Sequence, residues 1–171
     1  TMELCSQASF SDAHECKSIP IIAANVQRMI NPSQSQIWAV LRAKDDVHRT
    51  YYSLISGFLG RLCVSGEIFD LPEENWQIAL NSIKFYDEIK HIIKNGFTSV
   101  IECNVEDYND PEGYQIVLRQ TENEAILIVH TFKNGANPPV EKHLENWKIQ
   151  KEFGSSLDGD FRGKCYYLRK N

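Results

Sequence analysis

The chain has 171 residues, enough for one domain or two small ones. Hydrophobic residues make up 42% and charged residues 24%, as in ordinary globular proteins, and no apolar run has the length of a membrane-spanning helix. The net charge is −5, and Lys and Arg do not cluster, which argues against a nucleic-acid partner because phosphates demand a positive surface. We therefore expect a neutral, sugar-like ligand, and neither nucleic acid nor a membrane.

The cysteines favour a reduced, cytoplasmic protein. There are five, widely spaced and without a C-x-x-C pair, so neither a disulfide framework nor a zinc site is indicated. The first residues also lack the basic region and apolar core of a signal peptide. No Gly-rich phosphate loop is present. We expect no metal and no cofactor.

The first 96 residues alternate between predicted strands and predicted helices. Strands are expected over residues 3–10, 36–41 and 62–64, and helices over residues 20–30, 49–59 and 70–93. Asp70 is the expected N-cap of the last helix, whose apolar residues recur every three or four positions. This alternation is typical of a parallel α/β fold. A complete (β/α)8 TIM barrel needs about 250 residues, so residues 1–96 are predicted to be the C-terminal part of such a barrel.

After Gly96 the apolar residues recur at every second position instead. Five strands are expected over residues 98–105, 113–119, 125–132, 147–153 and 165–168, with turn-forming residues between them. Short strands with regular turns predict a small antiparallel β-sandwich over residues 97–171. The boundary near residues 94–98 has no long linker, so the two halves are expected to pack tightly.

Residues 11–15, of sequence SDAHE, form the most reactive cluster of the chain. They follow the first predicted strand, and barrel enzymes place catalytic residues at the ends of strands. A carboxylate there can act as a general acid, but a loop with capping Asp and Ser side chains is the stronger interpretation from these residues alone. His14 and Glu15 are weak metal-ligand candidates, and His48 with Arg49 is better explained as an exposed start of a helix.

The aromatic residues Trp147, Tyr166 and Tyr167 offer a second candidate site. Rings on one face of a sheet can bind sugars, although aromatic side chains on alternating strands more often belong to a core. We expect these rings to be buried.

A series of segments, in order, resembles the late barrel of bacterial α-galactosidases of glycoside hydrolase family 36. They are residues 11–13, 18–20, 23–25, 35–42, 52–54, 58–66 and 70–71, followed by an acidic helix with an aromatic pair at residues 85–86. The resemblance covers about residues 9–94. It implies a glycosidase that retains anomeric configuration and acts on terminal α-galactosyl or related α-glycosyl groups, with carbohydrate as the substrate.

Retaining glycosidases use two carboxylates, a nucleophile and an acid/base. By the resemblance, Asp12 occupies the acid/base position of a Ser-Asp motif, while the nucleophile belongs to an earlier strand that has no counterpart here. His14 and Cys16 depart from the family pattern, and Glu15 stands where the family has a second acidic residue. The chain alone is therefore expected to be inactive, and its oligomeric state is left open. The alternative hypothesis is a non-catalytic carbohydrate-binding or interaction module.

Overall fold

A computed structural model describes residues 5–9 and 16–171. In chain order, the strands and α-helices of this part are β1 Ala8–Ser9, α1 Ile19–Val26, β2 Ser35–Leu41, α2 Val47–Gly57, β3 Arg61–Gly66, α3 Glu73–Asn95, β4 Phe97–Cys103, β5 Tyr114–Gln120, β6 Glu124–Thr131, β7 Trp147–Gly154 and β8 Gly163–Lys170.

Three parallel strands form the first sheet, in the order β1-β2-β3. Ser9 lies opposite Gln36, and Ile37 lies opposite Leu62. Helices α1 and α2 connect these strands, which confirms the predicted parallel α/β arrangement. The described residues do not form a TIM barrel, because three parallel strands cannot close into one.

Five antiparallel strands form the second sheet, in the order β4-β5-β6-β8-β7. The predicted strands are all present, but the β-sandwich is not confirmed. A sandwich requires two sheets packed face to face, whereas β8 pairs with both β6 and β7 and so joins all five strands into one sheet. Residues of the helices, not of a second sheet, share a core with Val117, Ile126 and Ile128 of this sheet.

One hydrophobic core joins the two sheets. It contains Ile37 of β2, Leu54 of α2, Phe58 directly after α2, Ile89 of α3 and Ile126 of β6, all with at most 1% of their surface exposed. A smaller apolar cluster lies on the other face of the antiparallel sheet and includes Val140 and Leu144 of the segment before β7. The expected tight packing of the two halves therefore rests on shared apolar burial.

Two local predictions for the helices are wrong. Helix α1 ends at Val26 and not at Ile30, and turns follow it. Asp70 closes a single 3-10 turn, and Pro72 occupies the N-cap position of α3. Proline fits this place because a first helical turn needs no N–H donor there.

His130 of β6 is completely buried between the antiparallel sheet and α2. Its Nε2 lies 3.2 Å from Ser56 Oγ, and the ring meets Tyr52 edge-on at 5.1 Å between centroids. Ser56 donates its own hydrogen to the Tyr52 carbonyl, so His130 Nε2 carries the proton donated to Ser56. Nδ1 has no partner among the described residues. Burial lowers the pKa of His130 from 6.5 to about 3, so the ring is neutral in the folded chain.

This buried imidazole predicts a loss of stability in acid. Below pH 6.5 the unfolded chain protonates His130 while the folded chain does not until about pH 3, so the free energy of unfolding falls as pH drops through that window. The slope due to this group approaches about 1.4 kcal/mol per pH unit. The free energy of unfolding in urea should be measured between pH 7 and pH 4 for the wild type and for His130→Gln. The contribution of His130 is the difference between the two slopes of unfolding free energy against pH. Parallel profiles would contradict the assignment.

We expect Phe58, the C-cap residue of α2, to contribute strongly to the stability of the shared core. Its ring lies 5.6 Å from those of Phe85 and Phe153, and none of it is exposed. Phe58→Ala is expected to lower the free energy of unfolding by about 3–5 kcal/mol because it leaves a cavity. Phe69→Ala is the matched control, because Phe69 is 90% exposed, and should change stability by less than about 0.5 kcal/mol. Equal effects in chemical denaturation would show that Phe58 is not central to this core.

Candidate functional site

The parallel sheet is covered on one face only within the described chain. Ile37, Ala39 and Leu41 of β2 are buried in the core shared with the helices, whereas the alternate residues Gln36 and Trp38 are half-exposed. Successive side chains of a strand point to opposite faces. We call the half-exposed side, formed by Ser9, Gln36, Trp38, Val40, Cys63 and Ser65, the uncovered face. Parallel sheets are normally buried on both faces, so such a face needs an explanation.

Polar groups of the uncovered face are joined across the three strands. Trp38 Nε1 donates to Ser9 Oγ at 2.6 Å, which connects β2 to β1. Gln36 Nε2 donates to Cys63 Sγ at 3.1 Å, and Gln36 Oε1 accepts from Gln7 Nε2 at 2.9 Å. These bonds fix the side-chain orientations on this face, so its polar groups are already ordered.

The carboxyl ends of the three strands meet at one edge, which is where α/β proteins bind ligands. At this edge Glu67 N donates to the Leu41 carbonyl at 2.8 Å, and Ala43 N donates to Glu67 Oε2 at 2.9 Å. Gly66 makes this close approach feasible: its φ is +99°, and a Cβ there would lie 2.1 Å from the Leu41 oxygen. The loops after β2 and β3 are thus locked together.

The carboxylates of Asp45, Asp46 and Glu67 at this edge accept hydrogen bonds from backbone N–H groups. Asp45 Oδ2 accepts from Arg42 N at 3.0 Å, and Asp46 Oδ1 accepts from Arg49 N at 2.8 Å as the N-cap of α2. Glu67 accepts from Ala43 N, as described above. All three therefore have structural roles that account for their presence.

Several predicted site residues lie outside the described residues. They are Asp12, the expected acid/base, together with His14 and Glu15. His48 and Arg49 lie in the first turn of α2, and the Arg49 guanidinium packs over the Tyr52 ring at 5.8 Å. Within residues 5–9 and 16–171, no group of three His, Cys, Asp or Glu side chains could hold a metal ion.

The three aromatic side chains considered as a sugar platform do not form one. Tyr166 is buried in the apolar cluster on the outer face of the antiparallel sheet, and Trp147 packs against the same cluster. Tyr167 points to the opposite face and packs against the shared core. The rings therefore support the structure and leave no exposed strip for a sugar.

The uncovered face of the parallel sheet was not predicted from the sequence. A short apolar run such as residues 36–41 predicts a strand but does not indicate which of its faces is covered. The usable signal was the alternation of Gln36 and Trp38, which carry polar groups, with the purely aliphatic Ile37, Ala39 and Leu41.

The fold is similar to that of solved α-galactosidases. The galactosidase domain of the α-galactosidase–sucrose kinase AgaSK matches with a TM-score of 0.67 and 11% identity, over 94% of this chain and 25% of that one. The GH36 α-galactosidase AgaA from Geobacillus stearothermophilus matches with a TM-score of 0.68, 12% identity and the same coverage. The α-galactosidase from Lactobacillus brevis matches with a TM-score of 0.68 and 12% identity, over 94% of this chain and 26% of that one.

The chain thus spans about a quarter of the structures that it matches, at their C-terminal end. At such low identity the likeness establishes the fold alone, and it confirms the resemblance seen in the sequence at that level. No protein-family model and no curated protein sequence matches the chain. The described helices include none that is long and apolar enough to cross a membrane.

We expect the edge of the parallel sheet to require glycine at position 66. Gly66→Ala should lower the free energy of unfolding by about 2 kcal/mol or more, because φ of +99° is strained for alanine and its Cβ would meet the Leu41 carbonyl. Gly159→Ala is the control: its φ is +131°, but its Cβ would lie 3.2 Å from the flexible Arg162 side chain. Urea denaturation should show the smaller loss for Gly159→Ala. The reverse order would refute this packing at the edge.

Proposed function

We propose that this chain is the C-terminal part of a retaining glycosidase that resembles α-galactosidases, with residues 1–96 belonging to its (β/α)8 barrel. The observation that carries the proposal is the parallel sheet with one uncovered face and three strands in consecutive order. In a TIM barrel, consecutive strands are neighbours, helices cover the outside and the other face lines the interior. The fold likeness to α-galactosidases agrees with this arrangement.

The edge of the sheet at β3 also supports an incomplete barrel. Within the described residues, β3 pairs with β2 alone, so its other side has no neighbouring strand. Unpaired strand edges expose backbone donors and acceptors that readily pair with another strand. Further parallel strands supplied by the rest of the enzyme would satisfy these groups and cover the interior face.

Helix α3 has exposed apolar side chains that a further helix of the parent enzyme would cover. Its core-facing residues include Ile78, Phe85 and Ile89, but Trp76 is 37% exposed and Ile83 is 51% exposed. Trp76 lines a common surface depression with another exposed ring, that of Phe69, which is 90% exposed. Exposed apolar groups close together mark surfaces that another element covers, as an adjacent barrel helix would.

Asp12 is proposed as the acid/base of the parent enzyme. It follows Ser9, the last residue of β1, by three positions in the sequence, and β1 ends at the same edge as β2 and β3. The carboxylates described at that edge are engaged by backbone N–H groups, which leaves them poorly suited to exchange a proton with a substrate. The nucleophile would come from an earlier strand, so this chain alone should not catalyse hydrolysis.

A non-catalytic sugar-binding module is the weaker candidate. It depended on an exposed strip formed by Trp147, Tyr166 and Tyr167, and these rings pack into two different apolar clusters.

The decisive experiment is kinetic and uses Asp12→Asn in a polypeptide that joins this chain to an upstream barrel segment. The variant should lose most activity on a natural α-galactoside and less on an activated aryl α-galactoside, because a good leaving group needs little protonation. Asp158→Asn, an exposed change in the loop before β8, should keep the parent rate. General acid–base catalysis typically contributes about 100- to 10,000-fold.

Near-normal rates on both substrates would show that Asp12 is not the acid/base. The 171-residue chain alone should release no aryl alcohol above the uncatalysed rate. Turnover by the isolated chain would contradict the proposal that its nucleophile lies elsewhere.

A further inference from the structure

A cleft of about 510 Å³ lies where the two halves of the chain meet, away from the uncovered face of the parallel sheet. It is bounded by the C-terminal turns of α1 and α3 and by β4 and β5. Three cationic side chains line it, those of Arg28, Lys94 and Arg119, and no Asp or Glu among the described residues does. We call it the cationic cleft. Its volume falls within the range of ordinary small-molecule sites.

Arg119 gives the cleft a buried positive charge. The residue is only 5% exposed and, among the described residues, no carboxylate pairs with it. Its Nε donates to the Ile92 carbonyl at 3.1 Å, and its Nη1 donates to Thr98 Oγ1. A guanidinium has five N–H donors, and these are the only hydrogen bonds of Arg119 to described residues. A buried charge without a counter-ion is costly, which favours an anion beside it.

Arg28 and Lys94 add exposed positive charge at the mouth of the cleft. Both helices end here, and each C-terminus carries a partial negative charge of about half a unit. Three full positive charges exceed that pair of half charges, so the cleft keeps a positive surplus. This contrasts with the net charge of −5 for the whole chain.

The remaining lining fits a sugar. Side-chain amides of Gln27, Asn31 and Asn95 line the cleft and can exchange hydrogen bonds with hydroxyl groups. Gln27 Oε1 is buried and has no partner among the described residues. The ring of Phe97, 72% exposed, also borders the cleft, and a flat apolar ring packs well against the C–H face of a sugar.

We propose that the cationic cleft binds an anionic monosaccharide, with Arg28, Lys94 and Arg119 holding its phosphate or carboxylate group. The amides and Phe97 contact the sugar ring. Because all of these groups belong to the described chain, the site does not depend on the proposed glycosidase function.

Isothermal titration calorimetry of the 171-residue chain at low ionic strength tests the site with glucose 6-phosphate, glucuronate, inorganic phosphate and glucose. At least one of the two anionic sugars should bind, more tightly than inorganic phosphate, and glucose should not. Whichever of the two anionic sugars binds more tightly shows whether the cleft prefers a phosphate or a carboxylate group. Failure of both to bind at millimolar concentration, or equal binding by glucose or by inorganic phosphate, overturns the proposal.

Variants place the binding in the cleft. Arg28→Gln and Lys94→Gln should each weaken binding about tenfold, as expected for the loss of one charge-assisted contact. Lys84→Gln, which removes an exposed charge elsewhere on α3, is the matched control and should change affinity less than twofold. Phe97→Ala should weaken binding of the sugar anion and leave that of inorganic phosphate unchanged. Binding that is insensitive to Arg28→Gln and Lys94→Gln places the ligand elsewhere and overturns the assignment.

Discussion

The burial of α2 between the two sheets is the constraint on which the rest of the structure depends. Its residues Tyr52, Leu54 and Ile55 and its C-cap residue Phe58 have no exposed surface. The helix contacts β2 on one side and β8 on the other, and Gly163 of β8 permits the approach, because a Cβ there would lie 3.2 Å from the Tyr52 Cα atom. The Tyr52 hydroxyl also donates to the Lys17 carbonyl at 2.6 Å, which ties the segment before α1 to the same helix. Apolar burial of this extent is the main favourable contribution to folding.

This arrangement explains why one face of the parallel sheet is left uncovered. Helices α1 and α2 occupy the face with Ile37, Ala39 and Leu41, and the antiparallel sheet packs beyond α2, so within the described chain no helix or second sheet packs over Gln36 and Trp38. The described residues thus combine a layered core with a parallel sheet that has one uncovered face. A chain that spans about a quarter of the α-galactosidase structures it matches would have this combination if the missing part supplied the remaining strands.

A buried arginine lies where the two halves of the chain meet. Arg119 of β5 reaches the last turn of α3 and donates to the Ile92 carbonyl, so a charged side chain joins the helix to the antiparallel sheet. Burial lowers its pKa to about 10, and it stays charged at neutral pH. The positive surplus of the cationic cleft follows from placing this guanidinium beside two exposed cations. The uncovered face and the cleft therefore arise from different parts of the fold.

Periodicity alone determined the order of strands and helices and the change from parallel α/β to antiparallel β structure near Gly96, because spacings of 3.6 and 2 residues are local properties of the chain. Tertiary structure decided the rest. Whether five strands make one sheet or two depends on the pairing of β8 with both β6 and β7, a long-range contact that no local pattern encodes. Trp76 and Ile83 fit a helical repeat as well as Ile78 and Phe85 do, and only packing exposes the first pair and buries the second. The convergence of Arg28, Lys94 and Arg119 likewise required the fold, since these residues are far apart in sequence.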